Sequence, residues 1–472
     1  MSPSAGHRSR FAVIAVAAAI VLLPLLLLVG GSRWLAASLE VAARDAWQQT
    51  LPMEALARPV DPRAANGAAL ALERAAAPLG FSLAPLASAR AAPAAVEETA
   101  AALTTLHADL TGLLAGDPTA LLAPALAAWL EKTRGALDAL AVDLAGGESP
   151  RWESPTGRSV TRSPPPLERC DRLVLEAARL AALPPGKALG EVDEHLTRPG
   201  SPRLDGVVLL EEALLLSALV DGRRGDVQRA LRLVGACVRL EEGIATDASV
   251  VTLGVLANLA RIRLAILRDL APPVEDSIAR QLIGPPLQAR FRDAVIAEAS
   301  SLARAPTEVE RPRGAASRAM EWVFSGQSSA RRASTLRHLQ LIAQAAGPVT
   351  QTDADLSTLA ATVSATAPPW DSIQAGYLFE IVGTWSRLRR VEVDAEFTRR
   401  LLAARVLMLG SGDVGAACRA IAEPASMSPP ATFDCKADSA GHLMLILTSS
   451  SPGIGRPSAF EPPPSAPLMP PR

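Results

Sequence analysis

Residues 250–270 read VVTLGVLANLARIRLAILRDL, and their apolar side chains would cover more than half the surface of a helix. A helix that is apolar on most sides needs neighbouring elements on those sides, because burying apolar surface is the main favourable term in folding. The stretch therefore predicts the buried helix of a helical domain, over 247–270. Around it, apolar spacing predicts helices over 167–182, 206–220, 225–241 and 275–304.

The composition of the 472 residues agrees with a helical protein. Alanine, leucine and arginine are strong helix formers and are abundant, whereas β-branched and aromatic residues are scarce. The formal net charge is -1, from 47 basic and 48 acidic residues, and aromatic residues make up only 3%. This balance disfavours binding to nucleic acid, which needs a basic surface and stacking platforms. We expect an all-α fold, either a multi-helix bundle or an irregular helical array.

The N-terminal part of the chain predicts a membrane anchor. Residues 11–31, FAVIAVAAAIVLLPLLLLVGG, carry no charge and follow Arg8 and Arg10. As a helix they would span about 31 Å, close to the roughly 30 Å hydrocarbon core of a bilayer. The alternative is a signal peptide cleaved after the small residues Gly30 and Gly31. We predict an uncleaved transmembrane helix over 11–31, with residues 1–10 in the cytoplasm.

Composition shifts divide the rest of the chain. An amphipathic helix over 33–49 follows the span, and apolar spacing between 64 and 145 predicts four or five helices. Residues 146–166 are rich in glycine, serine and proline, which is typical of a linker. Further helices are expected over 317–346, 353–365 and 371–409. The predicted regions are N-terminal helical 32–145, linker 146–166, central helical domain 167–305, C-terminal helical 306–448 and a disordered proline-rich tail 449–472.

Two strand-like runs near the C-terminus predict a small β-hairpin. ATFDCK and HLMLILTS lie on either side of the turn residues ADSAG. A disulfide between Cys418 and Cys435 would join this hairpin to the preceding helix, as an oxidising compartment permits. The alternative is that all four cysteines are ordinary small residues in helices, which suits Cys170 and Cys237.

The segment GRRGDVQRALRLVGACVRL predicts two helices joined by a tight turn. Asp226 can cap the second helix, and Gly225 can adopt a left-handed conformation. The turn resembles those of tetratricopeptide hairpins, and GSGDVGAACRAI at 410–421 is similar. No period of about 34 residues connects the two segments, so a helical-repeat solenoid is an alternative to the bundle.

No motif in the sequence indicates a catalytic, cofactor or metal site. The sequence contains no CxxC pair, no G-x-S-x-G and no phosphate-binding loop. His195, in EVDEHL, matches no zinc pattern, and His107 and His338 are expected at surface or partly buried helix positions. Adjacent carboxylates on a helix point about 100° apart, which predicts solvated faces. The pairs concerned are Glu97 with Glu98, Glu211 with Glu212 and Glu241 with Glu242.

The order of these segments along the chain is similar to that in other proteins. A short basic N-terminus and one span are followed by NGAALALERAAAPLG, by the block GDVQRALRLVGACVRLEEGIATDASVVTLGVLANLARIRLAILRDL and by LLAARVLMLGSGDVGAACRAIAE. This arrangement resembles a loosely defined set of single-pass, alanine- and leucine-rich envelope proteins of GC-rich bacteria. Members often carry a Tyr-Pro pair and an Asp-Pro-Phe-like segment near the C-terminus, where this chain reads AEPASMSPPATFDCK. The set has no established activity, so the resemblance implies no site residues.

These observations lead to a functional expectation. We expect a single-pass protein of the bacterial inner membrane that presents its helical bulk in the periplasm and binds another envelope protein. It would be a non-enzymatic interaction or structural component without a cofactor. One alternative is an enzyme of unfamiliar type that gathers His195 or His338 with carboxylates from distant helices. A second alternative is a tetratricopeptide-like adaptor.

Overall fold

The computed structural model describes residues 67–83, 91–115, 122–147, 149–150, 204–245, 250–270, 272–304, 372–411, 413–422, 432–437, 443–449 and 465–467, with 336, 339 and parts of 31–45. Several predicted features lie outside these residues. They are the span over 11–31 apart from Gly31, most of the linker over 146–166, the helices over 167–182 and 353–365, and nearly all of 317–346.

The described part is mostly helical and ends in a small antiparallel sheet, so the predicted fold class is confirmed at this level. Four helices precede the linker: α1 Gly67–Ala76, α2 Pro93–Ala102, α3 Leu106–Leu114 and α4 Pro124–Gly146. The central helices are α5 Leu204–Arg223, α6 Val227–Ile244, α7 Val250–Leu270, α8 Asp276–Ile283 and α9 Phe291–Arg304. The C-terminal elements are α10 Ser372–Ser411, α11 Val414–Ala422, β1 Thr432–Ala437, β2 Leu443–Ser449 and β3 Ser465–Pro467.

Helix α7 is the buried helix that the sequence predicts. It packs against α5 on one side and against the long helix α10 on another. Within the described residues it is the one helix long and apolar enough to cross a bilayer, yet 83% of its apolar window is buried inside the protein. Its apolar surface is therefore covered by the neighbouring helices.

One hydrophobic core connects most of the helices. It includes Leu72 and Leu106 before the linker, Leu214 and Leu256 in the central helices, and Leu388 in α10. Both α4 and α5 pack against α6, so the regions predicted as 32–145 and 167–305 contribute to the same core. Burial of apolar side chains from all of these helices is what holds them together.

The hairpin between α5 and α6 confirms the predicted turn chemistry. Gly225 has a φ of 92°, a left-handed conformation that glycine adopts without a steric penalty. Asp226 accepts a hydrogen bond from the Arg229 backbone N–H, which caps α6. Asp413 accepts in the same way from the N–H of Ala416 at the start of α11. The two Gly-Asp segments thus begin their helices by one mechanism.

The prediction of a single helix over 275–304 is wrong. Helix α8 ends at Ile283, and α9 begins at Phe291 after a short 3₁₀ turn, Gln288–Arg290. Between them Gly284 has a φ of 79° and is followed by two prolines, which lack the backbone N–H that a continuing helix needs. The apolar period runs across this break, which is why periodicity alone predicted continuity.

The C-terminal elements form a second, smaller core. Strands β1 and β2 pair antiparallel, as predicted, with Phe433 opposite Leu447 and Cys435 opposite Leu445. These four side chains share one face of the sheet, and they pack together with Phe397 and Leu401 of α10. The sulfurs of Cys418 in α11 and Cys435 in β1 lie 2.07 Å apart, in the pairing that the sequence suggests.

The tail departs in part from its prediction. Within 449–472, which was predicted to be disordered, Ser465–Pro467 forms β3 and pairs with Met444–Ile446 of β2. Three residues gain backbone hydrogen bonds from a strand edge that was already in place, so they need no apolar core of their own. The remainder of the tail beyond Ser449 lies outside the described residues.

Candidate functional site

The histidines do not form a site in the part of the chain that the structure describes. His107 is mostly exposed on α3, as predicted, and its Nδ1 lies 2.8 Å from the Glu212 carboxylate of α5. His195 and His338 lie outside the described residues. Among the residues that are described, no three histidine, cysteine or acidic side chains are arranged to hold a metal ion.

The prediction of solvated faces is right for Glu97 with Glu98 and wrong for Glu211 with Glu212, and in the third pair it is wrong for Glu241, whereas Glu242 is partly exposed. Glu97 and Glu98 are exposed on α2. Glu211, Glu212 and Glu241 are buried, which contradicts the expectation of solvated helix faces. The 100° argument holds within a helix, but here the carboxylates meet between antiparallel helices, where α5 packs along α6.

A pair of carboxyl groups and one arginine form a buried centre, which we call the acid centre: Glu211 of α5, Glu241 of α6 and Arg263 of α7. The guanidinium Nη2 of Arg263 lies 3.0 Å from Glu241 Oε2, and its Nη1 donates to the Leu282 carbonyl at the end of α8 over 2.9 Å. All three side chains are almost fully buried. The guanidinium of Arg263 therefore ties α7 to α6 and α8, and Glu211 of α5 joins the centre through Glu241.

Backbone geometry at Gly284 helps to position that guanidinium. A Cβ placed on Gly284 would lie 2.9 Å from Arg263 Nη1, which is closer than real Cβ contacts come. The positive φ of Gly284 also disfavours any other residue there. The glycine that ends α8 thus gives Arg263 the room it needs to reach both Leu282 and Glu241.

The acid centre contains two carboxyl groups and one guanidinium, so it would carry a net negative charge if both carboxyl groups were ionised. Burial raises the pKa of Glu211 well above its usual value, and the nearby Glu241 charge raises it further. Burial also raises the pKa of Glu241, although Arg263 opposes that effect. An ionised Glu211 would have no donor for its oxygens among the described residues, whereas a protonated Glu211 can donate to Glu241. Burial and the neighbouring Glu241 therefore both favour a proton held on Glu211.

Cys237 lies beside the acid centre, and its thiol has low reactivity. Its side chain is fully buried in α6, and its Sγ is 3.9 Å from the Glu211 carbonyl oxygen. Burial raises the pKa of the thiol well above its usual value, and the two carboxyl groups raise it further. A buried, protonated thiol is a poor nucleophile. Cys237 is the small buried residue that the sequence indicates.

A second polar centre lies on another side of α7, between α7 and α10. We call it the arginine seam: Asp394 and Thr398 of α10 with Arg261 and Arg268 of α7. Arg268 Nη1 lies 3.2 Å from the Asp394 carboxylate and donates to Thr398 Oγ1 over 3.0 Å. Arg261 Nε lies 3.8 Å from the other carboxylate oxygen of Asp394. The four side chains are buried.

Helix periodicity explains why α7 carries two separate centres. Arg261 and Arg268 are seven residues apart, so they lie on nearly the same side of the helix. Arg263 is two residues after Arg261 and points about 200° away from it. One buried helix can therefore hold α6 and α8 through Arg263 and α10 through the other two arginines.

Titratable groups continue along α10 beside the seam. Burial lowers the pKa of Arg405 to about 10. Burial raises the pKa of Glu392 to about 7, against the effect of Arg389, whose guanidinium lies 3.6 Å away. The charge of Glu392 therefore changes close to physiological pH.

The arrangement of both centres suits a role in helix packing. A general acid or base has to come within hydrogen-bond reach of a substrate atom, and the Glu211 carboxyl is fully enclosed by helices. Removing one partner of such a pair leaves an uncompensated buried charge, which is strongly destabilising. The acid centre and the arginine seam thus fix how the helices pack and in what register.

One sequence signal could have found the acid centre. Glu211 and Glu212 interrupt VVLLEEALLLSALV, in which the residues on all sides are apolar. A charge inside a stretch that is apolar all round has no solvated side to face, so it has to find a buried partner. In the structure Glu211 lies beside Glu241, which pairs with Arg263 of the equally apolar α7, and Glu212 pairs with His107.

Comparisons with known proteins add no family to this geometry. No protein-family model matches the chain, and neither a curated protein nor a solved structure matches it. The role of the two polar centres and of the surface is therefore inferred from the residues themselves.

Proposed function

We propose that this protein is a membrane-tethered helical scaffold that binds a second protein of the bacterial cell envelope, and that it is not an enzyme. The observation that carries the proposal is that its buried charged side chains are enclosed by helices and away from solvent. The acid centre is enclosed by four helices, and the Arg263 guanidinium in it pairs with Glu241 and donates to the Leu282 carbonyl. Breaking such a buried pair would be strongly destabilising, so these groups serve the packing of the helices and the outer surface is what remains for contact with partners.

The cysteine pair supports an extracytoplasmic location for the body. Cys418 and Cys435 have Cα atoms 5.3 Å apart, within the range that disulfides require. Structural disulfides persist in oxidising compartments such as the bacterial periplasm. With an uncharged stretch at 11–31 after two arginines, this pair favours an N-terminus inside and a body outside.

Exposed apolar side chains supply candidate contacts for the partner. In the described part of the predicted central domain, Val251 on α7 and Ile278 on α8 are both 42% exposed. Covering large aliphatic side chains with a partner removes apolar surface from water, which lowers the free energy. Val142 on α4, which is 50% exposed, lies outside that domain and offers a matched control.

The test is purification of the full-length tagged chain from native membranes after cross-linking, followed by mass spectrometry. The proposal predicts one envelope protein at a fixed stoichiometry, confirmed by purifying in the reverse direction. Val251→Asp and Ile278→Asp should reduce the cross-linked complex, whereas Val142→Asp should leave it intact. A chain that is recovered alone, with or without these substitutions, would overturn the proposal.

A further inference from the structure

The helical segment over residues 31–45 carries an unusual concentration of exposed apolar side chains. Trp34 is 74% exposed, and Leu35, Leu39 and Val41 are 55%, 52% and 56% exposed. Four of the eight exposed large apolar residues of the described chain thus fall within eight positions. Single exposed apolar residues are common on proteins, but a cluster of this kind marks an interaction surface.

The cluster occupies one broad side of the segment. At 100° per residue, Val41, Trp34, Leu35 and Leu39 fall within an arc of about 160°. The hydroxyl of Ser38, which lies inside this arc, donates to the Leu35 carbonyl over 2.8 Å and so presents no free polar donor. Ala43 is partly buried and packs against the main core, which fixes the segment to the helical body.

We infer that the Trp34, Leu35, Leu39 and Val41 surface lies in the headgroup layer of the membrane and holds the helical body against the bilayer. This inference rests on the membrane attachment in the proposed function. The uncharged stretch 11–31 ends three residues before Trp34, so the surface begins where the chain would leave the hydrocarbon core. Tryptophan is enriched at that level of a bilayer.

The spacing of the residues also decides how the segment is oriented. In an upright helix, Leu39 and Val41 would stand about 12 and 15 Å beyond residue 31. The headgroup layer on each side of a bilayer is only roughly 5–8 Å thick, so an upright helix would leave both side chains in water. A segment inclined along the surface keeps all four apolar side chains in contact with lipid.

The test uses the full chain reconstituted into phosphatidylethanolamine and phosphatidylglycerol vesicles, with the photo-cross-linker p-benzoylphenylalanine in place of Leu39. The matched control places it at Leu409, which is 57% exposed at the far end of α10. After vesicle flotation and irradiation, mass spectrometry should detect a phospholipid adduct at position 39 and none at position 409.

The outcomes separate this inference from the attachment itself. Protein that floats with the vesicles but forms no lipid adduct at position 39 overturns the surface contact and leaves the anchor in place. An adduct at position 39 to another chain assigns the surface to a protein and also overturns the inference. Protein that does not float overturns both claims.

A second measurement does not depend on the unnatural residue. Lipids brominated near the headgroup end of their acyl chains should quench the tryptophan fluorescence of the wild-type chain more than that of Trp34→Phe, because bromine at that depth lies next to the headgroup layer and quenches at short range. Equal quenching of the two chains would place Trp34 away from that layer and contradict the inference.

Discussion

The acid centre and the arginine seam lie on different sides of α7 and have opposite compositions. In the acid centre two carboxyl groups lie together and one of them, Glu241, contacts Arg263, whereas in the arginine seam two guanidinium groups converge on Asp394. The first arrangement has a single cation and can remove its surplus charge by holding a proton on Glu211. The second retains a cation beside Asp394 if either arginine is lost. The acid centre should therefore be the more fragile and the more sensitive to pH.

The sharpest way to break the comparison is to remove one arginine from each centre. Arg263→Met leaves Glu241 buried without its cation and should lower the free energy of unfolding by about 3–5 kcal/mol. Arg268→Met leaves Arg261 beside Asp394, so the loss should be smaller, about 1–3 kcal/mol. Urea denaturation of the full chain in detergent, followed by circular dichroism, measures both. Equal losses would show that the second arginine gives Asp394 no protection.

Two glycines test the packing on the same two sides of α7. Gly284→Ala places a Cβ 2.9 Å from Arg263 Nη1 at a positive φ, and it should cost about 1–3 kcal/mol. Gly254→Ala, which faces α10, meets Thr384 and Arg387 at 3.3 Å and should cost about 1 kcal/mol or less. Thermal unfolding of the two variants ranks them. A larger loss for Gly254→Ala would contradict the tight placement of Arg263.

Helices were readable from the sequence because their evidence is local. The apolar period predicted α5, α6, α7 and α10 closely, and the residues of the turn before α6 predicted both its glycine conformation and its cap. The acid centre was missed because Glu211, Glu241 and Arg263 are far apart in the chain. Their convergence depends on how three helices pack, which no periodicity within one helix contains. The break after α8 was missed because apolar spacing outweighed the Gly-Pro-Pro sequence at 284–286.

The pH dependence of stability has a definite sign. Burial raises the pKa of Glu211 and, to about 7, that of Glu392, so the folded protein binds protons that the unfolded chain releases. The stabilisation from Glu392 is complete below about pH 4.5 and is lost as the pH rises through about 7. Each such proton contributes up to about 1.4 kcal/mol per pH unit within its window.

Substitutions can show how much of the fall in unfolding free energy with pH comes from Glu392 and how much from Glu211. Glu392→Gln should flatten the fall in unfolding free energy between about pH 4.5 and 7, because it removes the titration beside Arg389. Glu211→Gln should also flatten the fall at pH values above the usual pKa of glutamate, because it removes a second carboxyl group whose pKa is raised by burial. Urea denaturation at a series of pH values measures both. A wild-type chain whose stability rises between about pH 4.5 and 7 would contradict the raised pKa of Glu392.

The smallest effect gives a baseline for the comparison. Asp226→Ala removes the cap of α6, and Asp413→Ala removes the equivalent cap of α11. Each should cost about 1 kcal/mol, since the substitution leaves one helix-end N–H without its acceptor. Hydrogen exchange should show the second loss confined to α11 and the hairpin, which form their own small core. A loss from either cap that equals that of Arg263→Met would mean that the acid centre is no more important than an ordinary helix end.

The protonation state of Glu211 tests the central claim most directly. Infrared spectroscopy of the full chain as the pH rises above the usual range of glutamate titration distinguishes a protonated carboxyl group from carboxylates, and comparison with Glu392→Gln removes the contribution of Glu392. We predict a protonated carboxyl band that is present in the wild-type chain and in Asp394→Asn and is absent from Glu211→Gln. A wild-type chain without that band, or a band that persists in Glu211→Gln, would contradict a proton held in the acid centre.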